Sequence, residues 1–408
     1  MLIPDPRVTK VSITYGRIQD ARTMSVPLFS YGFRPFFFSA ALWAFVAMIF
    51  WIALLSGTIV FAEGYGPVAW HSHEFLFGYI SAALTGFLLT AIPNWTGRLP
   101  LKGGGLIALW LLWLAGRVGM LFADRIGNVT AAALDGIYLY VVAAVIFREI
   151  VAGGNWRNLK VALLVTLFAV ANSIFHFEVL WQGSPAYGIR IAVAAIVLLI
   201  AVIGGRITPS FTTNWLKRRG IAKLPVPFNR FDIAVIALTA VGLLLWAVAP
   251  EWEGTGVSLF VVGFAQTIRF ARWQGWLTWR EPIVLILHIG YGFVPLGAFL
   301  LGASILWPGV ITATGALHGW TTGAMGVMTL AVMTRATRGH TNHPIESTAA
   351  TTGIYGAILL AASARVGADL WPAGYFTLLY VSAFGWCAAF FGFILAYGAM
   401  LVGIRQSE

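Results

Sequence analysis

Residues 36–58 read FFFSAALWAFVAMIFWIALLSGT and carry no charged side chain. A run of roughly 20 apolar residues is long enough, at about 1.5 Å per residue, to cross the roughly 30 Å hydrocarbon core of a bilayer as a helix. The same pattern recurs along the chain. Further runs lie near residues 73–92, 104–122, 130–149, 161–181, 188–208, 231–249, 255–271, 282–304, 310–334, 349–367 and 372–403. The reading is an all-α, polytopic transmembrane bundle of about twelve spans with both termini cytoplasmic. Residues 1–35 are expected to form a cytoplasmic segment, 36–404 one membrane domain and 405–408 a cytoplasmic tail.

Composition agrees with that reading. Of 408 residues, 59% are hydrophobic and 10% charged, against about 25% charged in soluble domains. The net charge of +11 would suggest nucleic acid in a soluble protein. Here its distribution decides otherwise. All of the 26 Lys and Arg residues except Arg117, Arg125, Arg190 and Arg365 fall on segments that face inward if the N-terminus is cytoplasmic, which is the positive-inside pattern. No nucleic acid is expected as a partner; the lipid bilayer is. The first 30 residues are polar and basic without an apolar core, so no cleavable signal peptide is expected and the first span serves as the insertion signal. A single cysteine, Cys387, excludes an internal disulfide and a Cys-x-x-Cys-His haem attachment site. No Gly-rich phosphate loop stands between a strand and a helix.

Ionisable groups within hydrocarbon are costly and mark functional pathways, and histidine dominates them. His71 and His73 open the second span, His176 lies near the end of the fifth, His288 is inside the ninth and His318 inside the tenth; His340 and His343 fall in a loop. Helix rise places His71, His73 and His176 within roughly 8 Å of the outer surface, and His288 and His318 deeper, as a candidate second pair. Two residues apart on a helix point roughly 200° apart. One metal therefore cannot take both His71 and His73 from a regular helix, and a single helix serving two centres becomes a real option. Imidazole suits iron and copper, and a ligating ring donates its other N–H to a carboxylate or carbonyl. Glu74 and Glu178 are candidates for that role, and Asp135 for holding or relaying a proton, although Glu74 and Asp135 also suit helix starts, where a carboxylate meets the positive dipole end. Tyr291, three residues after His288, shares its helix face and is a candidate proton or electron donor. Arg206 and Arg335, with asparagines at the same level, are read either as interfacial anchors or as a site for a haem propionate or quinone headgroup.

Several long strings carry a resemblance. Phe33-Arg34-Pro35-Phe36-Phe37, His71-x-His73-Glu74, residues 86–97 (GFLLTAIPNWTG), Asn155-Trp156-Arg157-Asn158, Leu287-His288-Ile289-Gly290-Tyr291 and Ala316-Leu317-His318 with the Met- and Gly-rich stretch to His340 resemble the NnrS family of bacterial inner-membrane proteins over nearly the full length. That resemblance implies a haem b and copper protein associated with the nitric oxide response and with protection against nitrosative stress. His73, His176, His288 and His318, with Arg206 and Arg335, become candidate cofactor contacts, and His71 a further candidate ligand. The implied function is nitric oxide binding, with reduction to nitrous oxide by quinol electrons as its enzymatic form. A non-catalytic haem sink or sensor, and a transporter of a metal or nitrosyl-iron species, are the alternatives. Histidines on the second and tenth spans also give a fold-level analogy to the haem-copper oxidases, which by itself says nothing of activity.

Overall fold

The computed structural model describes residues 27–403; most of the expected N-terminal segment and the tail lie outside them. The described residues form twelve long helical segments and no strand. Ten are long and apolar enough to cross a membrane: α1 Phe33–Leu55, α2 Pro67–Thr96, α3 Gly104–Leu121, α4 Asn128–Ala152, α5 Trp156–Gln182, α6 Tyr187–Arg218, α7 Arg230–Val248, α9 Pro282–Leu306, α11 Ala349–Leu370 and α12 Pro372–Val402. The other two, α8 Glu253–Ala271 and α10 (residues 313–340), are comparable in length but more polar. The chain is a multi-pass membrane protein.

Successive helices pack side by side, and α1 closes against α12. The Arg34 guanidinium completes that closure by donating to the carbonyls of Met400, Leu401 and Gly403 at 3.1, 2.9 and 2.7 Å, groups left without intrahelical partners at a helix end. Among these helices, α10 contacts both α2 and α6. Of the ten apolar helices α2 is the most buried, at 78%, and α6 follows at 67%.

Helices α2, α6 and α10 share a departure from regular geometry. Each contains a π-helical stretch, Glu74–Ile80 in α2, Ile200–Gly204 in α6 and Gly319–Val327 in α10. Such wide turns are rare and concentrate at functional sites. Two of them begin directly after His73 and His318. The freed carbonyls find side-chain donors: Trp113 Nε1 reaches Gly78 O at 2.9 Å, and Arg269 Nη1 reaches Ala201 O at 2.9 Å.

Helix ends differ from the sequence reading in three useful places. Pro67 starts α2, where its missing N–H costs nothing and its fixed φ suits the first turn, so His71 and His73 sit inside a regular helix instead of opening it. The polar stretch after Gly205 continues α6 to Arg218. His340, read as a loop residue, ends α10 and lies against the rings of Tyr31 and Phe33.

Candidate metal centre and adjoining cavity

The α-helical geometry of residues 67–73 sends His71 and His73 in different directions, and each meets a different environment. His73 is fully buried. Its Nδ1 faces Glu74 Oε1 at 2.9 Å, and its Nε2 faces Asp135 Oδ2 at 3.1 Å and Asn172 Oδ1 at 3.2 Å. From α5, His176 brings Nε2 to within 3.0 Å of the same Asp135 Oδ2, while its Nδ1 pairs with the Tyr65 hydroxyl at 2.7 Å. Asn172 Nδ2 donates to Asp135 Oδ2 at 2.6 Å. His73, Asp135 and His176 each offer a ligand atom, all within 4.8 Å of one another and all buried.

Arg117, on α3, bridges the two acids: Nη1 donates to Glu74 Oε2 and Nη2 to Asp135 Oδ1. Trp43 Nε1 adds a bond to Glu74 Oε2 at 2.7 Å. Gly78 makes room for this bridge, since a Cβ there would fall 2.7 Å from both Arg117 Nη1 and Trp43 Nε1. Gly78→Ala is therefore expected to displace the guanidinium and lower any metal affinity of the cluster, as read by metal content after purification.

Charge and donor counting show what this arrangement can hold. Two carboxylates stand against one guanidinium, leaving one negative charge uncompensated in a dry site, where an unpaired ion costs several kcal/mol. His73 has acceptors on both ring nitrogens. The missing charge is supplied by a proton, on His73 or on a carboxyl group, or by a metal between the three inward atoms. The outer atoms are arranged as metal sites require: Glu74 accepts from His73 Nδ1, the Tyr65 hydroxyl meets His176 Nδ1, and Arg117 holds the far oxygen of Asp135. Tyr65, in the loop before α2, has its phenol pushed above the usual range by burial and by the Glu74 carboxylate, so it stays protonated. Ligands about 2.0–2.2 Å from a shared metal stand roughly 3.3 Å apart in a tetrahedral site, and the 3.0 and 3.1 Å separations around Asp135 Oδ2 come close to that without one. Tyr65→Phe is expected to lower metal affinity about 10–100-fold with the fold intact, measured by competition with a chelator.

His71 turns the other way. Its ring stacks on Trp51 at 4.2 Å and packs against Phe75, and its Nδ1 is buried without a hydrogen-bond partner. It lines a cavity of about 590 Å³ shared with His318 and walled by Trp51, Phe75, Met325, Leu379 and Trp386, within the roughly 300–1,000 Å³ of ligand pockets. His318 Nδ1 donates to Thr314 O at 2.7 Å, which fixes the tautomer and leaves Nε2 with its lone pair. Arg365, held by Asp369 at 2.6 Å, is the cation on the cavity wall.

The remaining sequence candidates sit elsewhere. His288 does not meet His318: its Nε2 pairs with Thr212 Oγ1 at 2.7 Å, and a Cβ on Gly275 would lie 2.5 Å from its Nδ1. Tyr291 joins a separate buried network, donating to Gln266 Oε1 at 2.8 Å and accepting from Arg269 Nη1 at 2.7 Å, with Arg269 Nε on Asp232 at 2.9 Å. Glu178 accepts from the backbone N–H groups of Ala186, Tyr187 and Gly188 at 2.9, 2.8 and 2.8 Å, which caps the start of α6 with a carboxylate. Glu178→Gln is expected to cost about 0.5–2 kcal/mol of stability and to leave the histidine cluster unchanged, checked by thermal unfolding in detergent alongside metal content. Arg206 donates to Asn158 Oδ1 at 2.7 Å, and the Arg335 guanidinium lies 3.7 Å above the Phe211 ring; neither lines the cavity. Sequence reading did not single out Asn172, Tyr65 or Arg365. Arg117 and Arg365 carried a usable signal, because a charged residue within or beside a span implies a buried partner.

The match with a known family covers residues 27–405, which fit the model described as NnrS protein. No curated protein matches the chain.

Proposed function

The chain belongs to the NnrS family, and from that premise we propose that it is a haem- and copper-containing protein of the bacterial inner membrane that binds nitric oxide and protects against nitrosative stress. The observation that carries this reading is the pair of sites on one helix, a cation-deficient His73–Asp135–His176 cluster on one side of α2 and a cavity faced by His71 and His318 on the other.

The donor sets fit the two groups. Two imidazoles and a carboxylate suit copper or iron, so His73, His176 and Asp135 would hold the copper. The aromatic and aliphatic cavity, two available imidazoles and Arg365 suit haem b, with His71 or His318 as the iron ligand, which would leave the iron a position for nitric oxide, and Arg365 available to a propionate carboxylate. When bound, the haem supplies an iron centre that takes nitric oxide and a one-electron couple, and the copper a second such couple.

The protein's own residues then act by positioning. Thr314 O orients His318, and the Trp51 ring stacks on His71 with the Phe75 ring tilted against it. Glu74 and Tyr65 set the tautomers of His73 and His176, and Arg117 holds the outer oxygens of Glu74 and Asp135. The apolar walls exclude water from the cavity.

The same geometry weighs against Glu74, Asp135 and Glu178 as proton carriers. Reduction of two nitric oxide molecules to nitrous oxide and water takes two electrons and two protons. Glu74 and Asp135 are bound to Arg117, and Glu178 is bound to three backbone N–H groups. Binding with stoichiometric protection therefore has the stronger support, and quinol-driven turnover the weaker. The test is nitrous oxide yield from purified protein supplied with quinol and excess nitric oxide. The expected yield is at most one turnover per chain; sustained accumulation would establish a reductase.

A further inference from the structure

A second void adjoins the His71–His318 cavity. About 90 Å³ in volume, it lies between α2, α6 and α10 and is lined by Ala83, Phe87, Ile200, Gly204, Met328 and Val332, among others. Ile80 and Met325 line both voids, so the two share a wall made by these side chains. All three π-helical stretches contribute walls: Ile80 from α2, Ile200, Ile203 and Gly204 from α6, and Met325 from α10. On the opposite side the lining residues Leu84, Phe87, Ile207 and Val332 are half-buried, so the void lies nearest the outside of the bundle there.

Chemistry and size narrow what can use this passage. Thr329 is its only polar lining residue, and that hydroxyl is already engaged with Met325 O at 2.8 Å, Gly326 O at 3.0 Å and the Tyr79 hydroxyl. No unpartnered polar atom among the described residues lines the void. Water needs two to four polar partners to occupy a cavity, and an ion needs more, so the passage is not a proton or ion route. At about 90 Å³ it also falls below the roughly 300–1,000 Å³ that hold cofactor-sized molecules, which excludes a quinol ring. We infer that it is an entry path for a small uncharged diatomic gas, which dissolves in the bilayer, enters between Phe87 and Val332 and reaches the His71–His318 cavity past Ile80 and Met325. This rests on the proposed reading of that cavity as the gas-binding site. It assigns the π-helical turns a task, since their wider backbone spiral opens space among three helices that otherwise pack closely.

Two probes test it. Crystals of the wild-type protein pressurised with xenon are expected to show a xenon atom between Ala83, Gly204 and Met328, whether or not haem is present. An acyl chain filling that volume, or xenon elsewhere and none here, would overturn the passage. In the haem-loaded protein, carbon monoxide rebinding after photolysis is expected to slow several-fold in Val332→Trp, on the outer side of the void, and in Ala83→Phe, inside it, and to quicken in Met325→Ala, in the shared wall. The Soret band and haem content should be unchanged in Val332→Trp and Ala83→Phe, whose side chains line only the smaller void. Val332 is half-buried and its replacement does not depend on repacking the interior, so it remains informative where Ala83→Phe fails to fold. Unaltered rebinding in every folded variant would overturn the inference. Absence of haem from fully metallated wild-type protein would instead defeat the proposed function, leaving the xenon result to decide the passage alone.

Discussion

Arg117→Ala is expected to destabilise the protein by about 3–5 kcal/mol, the range for removing one partner of a buried ion network. The guanidinium is 1% exposed and bridges Glu74 and Asp135; without it two carboxylates lie together in a dry interior against the His73 and His176 rings alone. Arg117→Lys is expected to recover only part of the loss, because a point-like ammonium cannot span two carboxylates as a planar fork does. Removing one charge as well, in Arg117→Ala with Glu74→Gln, is expected to be less harmful than the single substitution, a non-additivity expected of residues in one network. Thermal unfolding in detergent, with metal content measured on the same samples, checks all three. A loss below about 1 kcal/mol for Arg117→Ala, the scale of a surface ion pair, would show that the bridge does not organise the cluster.

The second large effect concerns the cavity. Of His71→Ala and His318→Ala, the one that removes the iron ligand is expected to abolish bound haem in the purified protein and the other to reduce it, seen as loss of the Soret band, while His288→Ala retains it. The contrast follows from placement. His71 and His318 line one cavity of about 590 Å³, whereas His288 is enclosed by Thr212, Phe270 and Gly275. His73→Ala is expected to remove the cluster metal and to leave the haem spectrum in place. Equal haem loss in the His288 and His318 variants would reject the assignment of the cavity.

Much of this arrangement was legible in the sequence, for reasons that also explain its failures. Charge-free runs such as residues 36–58 specify spans because an unpaired backbone in hydrocarbon has no other solution. The opposed directions of His71 and His73 followed from helical periodicity alone. Depth along the helices grouped His71, His73 and His176; of these His73 and His176 meet, at 4.7 Å between ring centroids, while His71 faces a cavity with His318. Azimuth was not legible. Rotation about each helix axis decides which side chains meet, and a π-helical turn changes it, so the expected pairing of His318 with His288 gave way to a shared cavity with His71. The roles of acids suffered the same way. Glu178 sits two residues from His176, yet its carboxylate turns to the start of α6; Asp135, expected to relay protons, stands where a ligand would stand. Tyr291 shares a helix with His288 but is held by Arg269 and Gln266, partners on α8 whose proximity no spacing rule reveals.

The central claim is that α2 presents His73 to a metal held with His176 and Asp135. Its most direct measurement is an anomalous difference map of wild-type crystals collected on either side of the copper absorption edge. The expected result is one peak about 2.0–2.2 Å from His73 Nε2, His176 Nε2 and Asp135 Oδ2. A protein that carries copper by elemental analysis but shows no peak among these three atoms would contradict the account.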